Sequence, residues 1–275
     1  MLIRLRLFIE VFSGSGRLAA AAASAGFHVL RWDINMGPQY DLLSWSARFF
    51  LSACTVHFGL PCNTYSFVRR GKPGSGMPEP LRNREHPLGL PDLKPADALK
   101  VQSANKLLRW VASWIRKLLV AGVAITFENP QTSRVWLVPL MERLLRKGSR
   151  IWFHFCAFGG QWQKATAFAV FNFDETLCVD TYRCHACKGC CQFTGKNNFN
   201  LSGIDLATKR WWSNIGQPYP KKFCKLYAAC LVSHTENRAM LVSRVLLHNP
   251  FNPVFGSECF HPPERYLAGG LLVGP

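Results

Sequence analysis

Three short segments carry residue types that do chemistry. Phe12-Ser13-Gly14-Ser15-Gly16 is a glycine turn, Leu60-Pro61-Cys62 offers a thiol, and Phe127-Glu128-Asn129-Pro130 offers a carboxylate. Such a turn lets backbone N–H groups approach a ligand closely. A thiolate is a nucleophile, and a nearby acid can hydrogen-bond to or protonate the group under attack. Gly14 and Gly16, with alanine at position 19, are too few for a dinucleotide pyrophosphate and favour a nucleoside cofactor such as S-adenosylmethionine. Asp33, at the end of the next apolar run, is placed to accept hydrogen bonds from a ribose. A tight turn with no ligand, a buried structural cysteine and a turn-forming Glu-Asn-Pro are the alternative readings of the same residues.

Each segment follows an apolar run that reads as a buried strand, so the three should meet at one edge of a sheet, where open α/β folds bind ligands. The expected strands are 5–12, 27–32, 53–60, 123–127, 151–156 and 165–171. Helical spacing is expected over 18–25, 96–120, 135–145 and 222–232. Between Cys62 and about Pro95 the chain turns to Gly, Pro, Arg and Lys without apolar period, which predicts a long loop directly after the thiol. The tail from His234 shows no clear element.

The 275 residues are 48% apolar, a globular composition, and Lys and Arg outnumber Asp and Glu by 33 to 16, a net charge of +17. Nucleic acid is the partner such an excess suits best. The first apolar stretch is broken by Arg4, Arg6 and Glu10, unlike a signal peptide. The run from Leu107 to Phe127 is broken by Arg109, Arg116 and Lys117, so no membrane span or membrane partner is expected. These features predict an intracellular chain, nuclear if eukaryotic. Its eleven cysteines are then thiols or metal ligands rather than disulfides.

The three segments, in this order, resemble the cofactor, nucleophile and acid motifs of the cytosine-5 DNA methyltransferase family, in a divergent form like that of algal and mobile-element members. Gln161-Trp162-Gln163-Lys164 falls where that family has a Gln/Arg motif, and Ile215-Gly216-Gln217-Pro218-Tyr219-Pro220 resembles its closing motif. The resemblance spans about residues 8 to 232. It implies a Rossmann-like α/β fold, a mostly parallel sheet with helices on both faces, and S-adenosylmethionine as donor. Cys62 would be the nucleophile and Glu128 the acid, with the cofactor held by Phe12, Ser13, Gly14, Gly16, Asp33, Ile34, Asp41, Pro61 and Gln217.

Carbon 5 of cytosine is a poor nucleophile, and thiolate addition at carbon 6 makes it enamine-like while an acid near ring nitrogen 3 stabilises the developing charge. The base must leave its stack to reach the thiol. The loop cations Arg69, Arg70, Lys72, Arg82 and Arg84, with Lys164, Lys209 and Arg210, would hold the nucleic acid, and the loop cations would lower the thiol's pKa. The chain has Leu60-Pro61-Cys62 for the family's Pro-Pro-Cys, Glu128-Asn129-Pro130 for Glu-Asn-Val, and only Lys164 for the Gln/Arg motif's arginines. DNA is favoured, with RNA cytosine and a catalytically silent nucleic-acid-binding protein as alternatives. An amino-group methyltransferase would carry an Asp/Asn-Pro-Pro-aromatic loop where Pro61-Cys62 stands.

Between the Gln/Arg-like and closing motifs lies a cysteine-rich stretch, Cys178 to Cys191, including His185. Cys178, Cys184, Cys187 and Cys190 are the expected ligands of a structural zinc, given two consecutive Cys-x-x-Cys spacings. Reduced thiols in a loop-rich insert are the alternative. The resulting organisation is a catalytic domain over 1–173, a Cys-rich recognition insert over 174–214, a closing helix over 215–233 and a tail over 234–275.

Overall fold

The computed structural model describes residues 6–43, 48–67, 69–72, 78–173, 181–185, 189–199, 201 and 203–247. Six strands form one sheet: β1 (Leu7–Val11), β2 (His28–Trp32), β3 (Thr55–Gly59), β4 (Ala124–Pro130), β5 (Ser149–His154) and β6 (Ala165–Phe171). Their order is β2-β1-β3-β4-β6-β5. β1, β2, β3 and β4 run parallel, and β6 is antiparallel to both its neighbours. The helices are α1 (Arg17–Ser24), α2 (Pro95–Val120), α3 (Pro139–Leu145), α4 (Trp212–Ile215) and α5 (Lys221–Leu247). This is the expected Rossmann-like α/β fold.

Side chains alternate across the pleat and meet helices on both faces. Ile9, Val11, Val56, Phe58, Ile125 and Phe127 join one core with Leu108, Val111 and Ile115 of α2 and Met141 of α3. Phe8, Phe153 and Phe168 join a second with Leu18 and Ala22 of α1 and Phe223, Tyr227 and Leu231 of α5. Three polar residues interrupt the second face in one cross-strand row, because Glu10 is paired in register with His57 and His57 with Thr126. All three are essentially inaccessible.

The strand and helix expectations fall on real elements within a few residues, with three differences. The helix expected over 135–145 is split: Pro139 starts α3, and a 3-10 turn, Arg134–Leu137, precedes it. Short 3-10 turns at Ile34–Met36, Pro38–Tyr40 and Arg48–Ser52 carry no periodicity to betray them. The last helix, expected to end at 232, runs to Leu247. The chain divides into two compact units, Met1–Glu236 and Asn237–Pro275. The first contains the whole sheet.

Candidate active site

The strand order reverses at β1, which has β2 on one side and β3 on the other, and the ends of β1, β3 and β4 carry the three segments. At the end of β1 the chain turns sharply. Phe12, Gly14 and Gly16 have φ of 60°, 48° and 64°, and a left-handed Phe costs about 1 kcal/mol or more. A Cβ on Gly14 would meet no atom within 4 Å, so the turn is open there. A Cβ on Gly16 would run into the Arg31 guanidinium.

Asp33 braces the turn from the end of β2. Its two carboxylate oxygens accept from Gly14 N at 2.8 Å and Asn35 N at 2.9 Å. Arg31 donates to Gly14 O at 3.1 Å, a second brace that sequence reasoning missed. Ile34 beside Asp33 is 56% exposed, an apolar surface at the lip of the turn. Asp41 accepts from Leu43 N.

Cys62 lies three residues past Gly59, which is opposite Glu128 in the β3/β4 register. Asn129, fully buried, donates to Leu60 O at 2.9 Å and ties the two strand ends together. The Cys62 carbonyl accepts from Tyr65 N and Ser66 N, so the thiol sits on a tight turn. Pro61 beside it is exposed.

Glu128 is nearly buried, and its Oε1 accepts no hydrogen bond from the protein. Burial raises the pKa of both Glu128 and Cys62, while the Lys164 ammonium lowers both. Lys164 thus belongs with the thiol and the acid, not only with the cations expected to hold nucleic acid. The expectation that the loop arginines depress the thiol's pKa is corrected: burial dominates, and the cation that opposes it is Lys164, positioned over the Phe155 ring at 4.6 Å.

Behind Glu128 runs a buried chain of polar groups. The Tyr227 hydroxyl is 2.7 Å from Thr126 Oγ1, which is 2.8 Å from His57 Nδ1. His57 Nε2 is 3.0 Å from the Tyr219 hydroxyl. That hydroxyl in turn lowers the pKa of Glu128 through a hydrogen bond. Burial holds His57 neutral by lowering its pKa to about 3. A Cβ on Gly59 would stand 3.3 Å from Phe12 O, a tight contact, and 3.6 Å from the Tyr219 hydroxyl, an ordinary one. Tyr219 comes from the closing motif, yet neither it nor His57 was singled out from sequence. A histidine inside an apolar strand reads as core.

Cys62 opens into a cavity of about 660 Å³ lined also by Arg69, Arg70, Lys72, Trp211 and Gln217. Gln217, expected with the cofactor residues, therefore lies on the thiol's side, where it donates to Asn214 Oδ1. Arg84, Lys209 and Arg210 are exposed and outside this lining. Arg82 is a correction. It is 4% exposed, donates to Thr64 Oγ1, Asn105 Oδ1 and Pro87 O, and stacks 3.8 Å from the Tyr65 ring centroid. With its guanidinium committed inside the protein, it is not a phosphate ligand. Two ion pairs seen among the described residues are Arg6–Glu236 and Lys100–Asp97.

Of the expected metal ligands, the two described ones, Cys184 and Cys190, do not join in one cluster. Cys178 and Cys187 lie outside the described residues. Cys184 is buried, but Cys190 turns its sulfur to Asn197 Oδ1 at 3.0 Å. Cys184 instead meets Cys156 and Cys191, all three sulfurs within 4.8 Å of one another. No described helix is long and apolar enough to cross a membrane.

Parallel strands, helices on both faces and a glycine turn at the switch point define a Rossmann-like α/β protein. No protein-family model matches the sequence, and no curated protein matches it. Among solved structures, the crystal structure of the S. pombe Dnmt2 methyltransferase is similar, at 17% identity over 61% of this chain, with a TM-score of 0.32. The match spans about half, 51%, of that chain. A likeness of this extent adds nothing to the topology above.

Proposed function

We propose that this chain is an S-adenosylmethionine-dependent methyltransferase that modifies carbon 5 of cytosine in DNA through a covalent adduct with Cys62. The observation that carries the reading is the meeting of Cys62, Glu128 and Lys164 at the ends of β3 and β4, with a buried carboxylate oxygen, Glu128 Oε1, that the protein leaves without a hydrogen bond. A buried oxygen of that kind suits a partner on the substrate, and ring nitrogen 3 with the amino group of cytosine offers one.

The residues at the turn fit the cofactor. Gly14 leaves open space, both Asp33 oxygens keep lone pairs for a ribose, and exposed Ile34 can lie against a purine. Phe12, Ser13, Gly16, Asp41 and Pro61 would complete its surroundings. When bound, S-adenosylmethionine supplies an electrophilic methyl group.

Cys62 Sγ, as thiolate, adds to carbon 6. The electrons displaced through the ring are stabilised at nitrogen 3 by the acid form of Glu128, and carbon 5 becomes nucleophilic. After methylation, loss of the carbon 5 proton to a solvent base expels the Cys62 thiolate and restores the ring. Lys164 opposes the burial that keeps the thiol protonated and holds its cation beside the acid. Arg69, Arg70 and Lys72, around the cavity that holds Cys62, would take the phosphates, with Arg84, Lys209 and Arg210 on the surface beyond.

RNA cytosine admits the same chemistry, since the reacting ring is the same in both polymers. Transfer of labelled methyl to duplex DNA, single-stranded DNA and RNA, run beside Cys62→Ala and followed by nucleoside analysis, tests the proposal. Label in 5-methylcytosine of DNA that vanishes with Cys62→Ala is expected. Label in RNA alone moves the substrate to RNA, and no transfer with nucleic-acid binding retained leaves a silent binding protein.

A further inference from the structure

Cys156 and the neighbouring pair Cys184 and Cys191, from two separate parts of the sequence, meet in a buried cluster of their own, apart from both apolar cores. Cys156 lies in a 3-10 turn, Phe155–Phe158, just after β5, and the other two belong to the cysteine-rich insert. Their exposures are 0%, 2% and 1%. Packing three thiols against one another yields little cohesion, because a thiol is a weak hydrogen-bond donor and a small apolar group. The described insert residues between 181 and 199 form no helix or strand, only the isolated bridges Cys190–Asn197 and Trp162–Phe199. A segment of this kind needs a cross-link to hold one shape.

We propose that Cys156, Cys184 and Cys191 are three ligands of a structural zinc ion. In a tetrahedral site with Zn–S of about 2.3 Å the sulfurs stand about 3.8 Å apart, and these three lie within 4.8 Å of one another. All-thiolate donation selects a soft or borderline ion, and burial excludes the water that a catalytic zinc would keep. A disulfide would pair two of the sulfurs and strand the third.

The ion would fix more than the insert. Cys184 N donates to His154 Nδ1 at 2.9 Å, Gln163 Nε2 donates to Cys184 O at 2.9 Å, and Phe199 N donates to Gln161 O at 2.8 Å. The metal therefore anchors residues 161–163, directly before Lys164. The site does not depend on the proposed activity, and its test reads metal alone.

The protein purified under reducing conditions without added metal is expected to hold about one zinc per chain by elemental mass spectrometry. Cys156→Ser, Cys184→Ser and Cys191→Ser should each weaken zinc retention against a chelator at least about tenfold, while Cys190→Ser keeps it. X-ray absorption on the unmodified protein, which needs no variant to fold, should find three or more sulfur neighbours at about 2.3 Å. Folded protein with no zinc, fewer than three sulfurs, a disulfide among the three, or loss of zinc in Cys190→Ser would overturn the assignment.

Discussion

His57 Nε2 stands 3.0 Å from the Tyr219 hydroxyl, joining the centre of the sheet to the segment that leads into α5. A neutral imidazole has one donor and one acceptor. When the Tyr219 hydroxyl donates to an ionised Glu128, His57 donates from Nε2 and accepts from Thr126 at Nδ1. When Glu128 is protonated, the whole row can reverse. Tyr219→Phe keeps the ring packing and deletes the hydroxyl. It should raise the pKa of Glu128, move the corresponding limb of the kcat/KM profile to higher pH, and lower methyl transfer about tenfold or more. An unmoved profile would separate Tyr219 from Glu128.

Lys164 is the cation shared by Cys62 and Glu128. Lys164→Met should raise the apparent pKa of Cys62 and slow its alkylation by iodoacetamide at neutral pH. Alkylation at an unchanged rate would place the ammonium elsewhere. Cys62→Ala controls for the other thiols.

Arg82 and Arg70 are close in sequence and should behave in opposite ways. Arg82→Ala removes the donor that Thr64 Oγ1 and Pro87 O accept from inside the protein, and should cost about 3 kcal/mol of stability in urea unfolding. Arg70→Ala removes an exposed cation from the rim of the Cys62 cavity. It should leave stability within about 0.5 kcal/mol and reduce the salt dependence of nucleic-acid binding by about one phosphate contact.

Glu10, on the middle of β1, accepts from Ala19 N at 2.9 Å, and burial raises its pKa from 4.5 to about 7. The folded state thus holds this proton more tightly than the unfolded chain. The stability this group contributes is full below about pH 4.5, is lost by about 3 kcal/mol as pH rises through 7, and levels off about a unit higher. Glu10→Gln should reduce that slope in urea titrations across the window, leaving what Glu128, also raised by burial, contributes. A slope unchanged in Glu10→Gln would belong to another group.

Cys62 and Glu128 were legible because each follows a strong apolar run, and a residue that ends a buried parallel strand sits at the sheet's ligand edge. The braces were not. Arg31 reaches Gly14 across 17 residues, and His57 reaches Thr126 and Tyr219 across 69 and 162, and no local pattern announces such pairings. Arg82 resembled its loop neighbours in composition, and only folding shows that Tyr65 and α2 enclose it. Cys156 was hidden for a similar reason: it ends an apolar strand run and reads as core until the insert folds back onto it.

The antiparallel β6 fills the place between β4 and β5, so β4 receives its second neighbour only from residues 165–171. During synthesis, β4 completes the Cys62 and Glu128 pair while one of its edges is still open, with Ile125 and Phe127 on it beside unpaired backbone groups. That interval favours pairing with other chains. Truncations ending before Ala165 are therefore poor vehicles for studying the thiol and the acid, and soluble yield should rise sharply only once β6 is included.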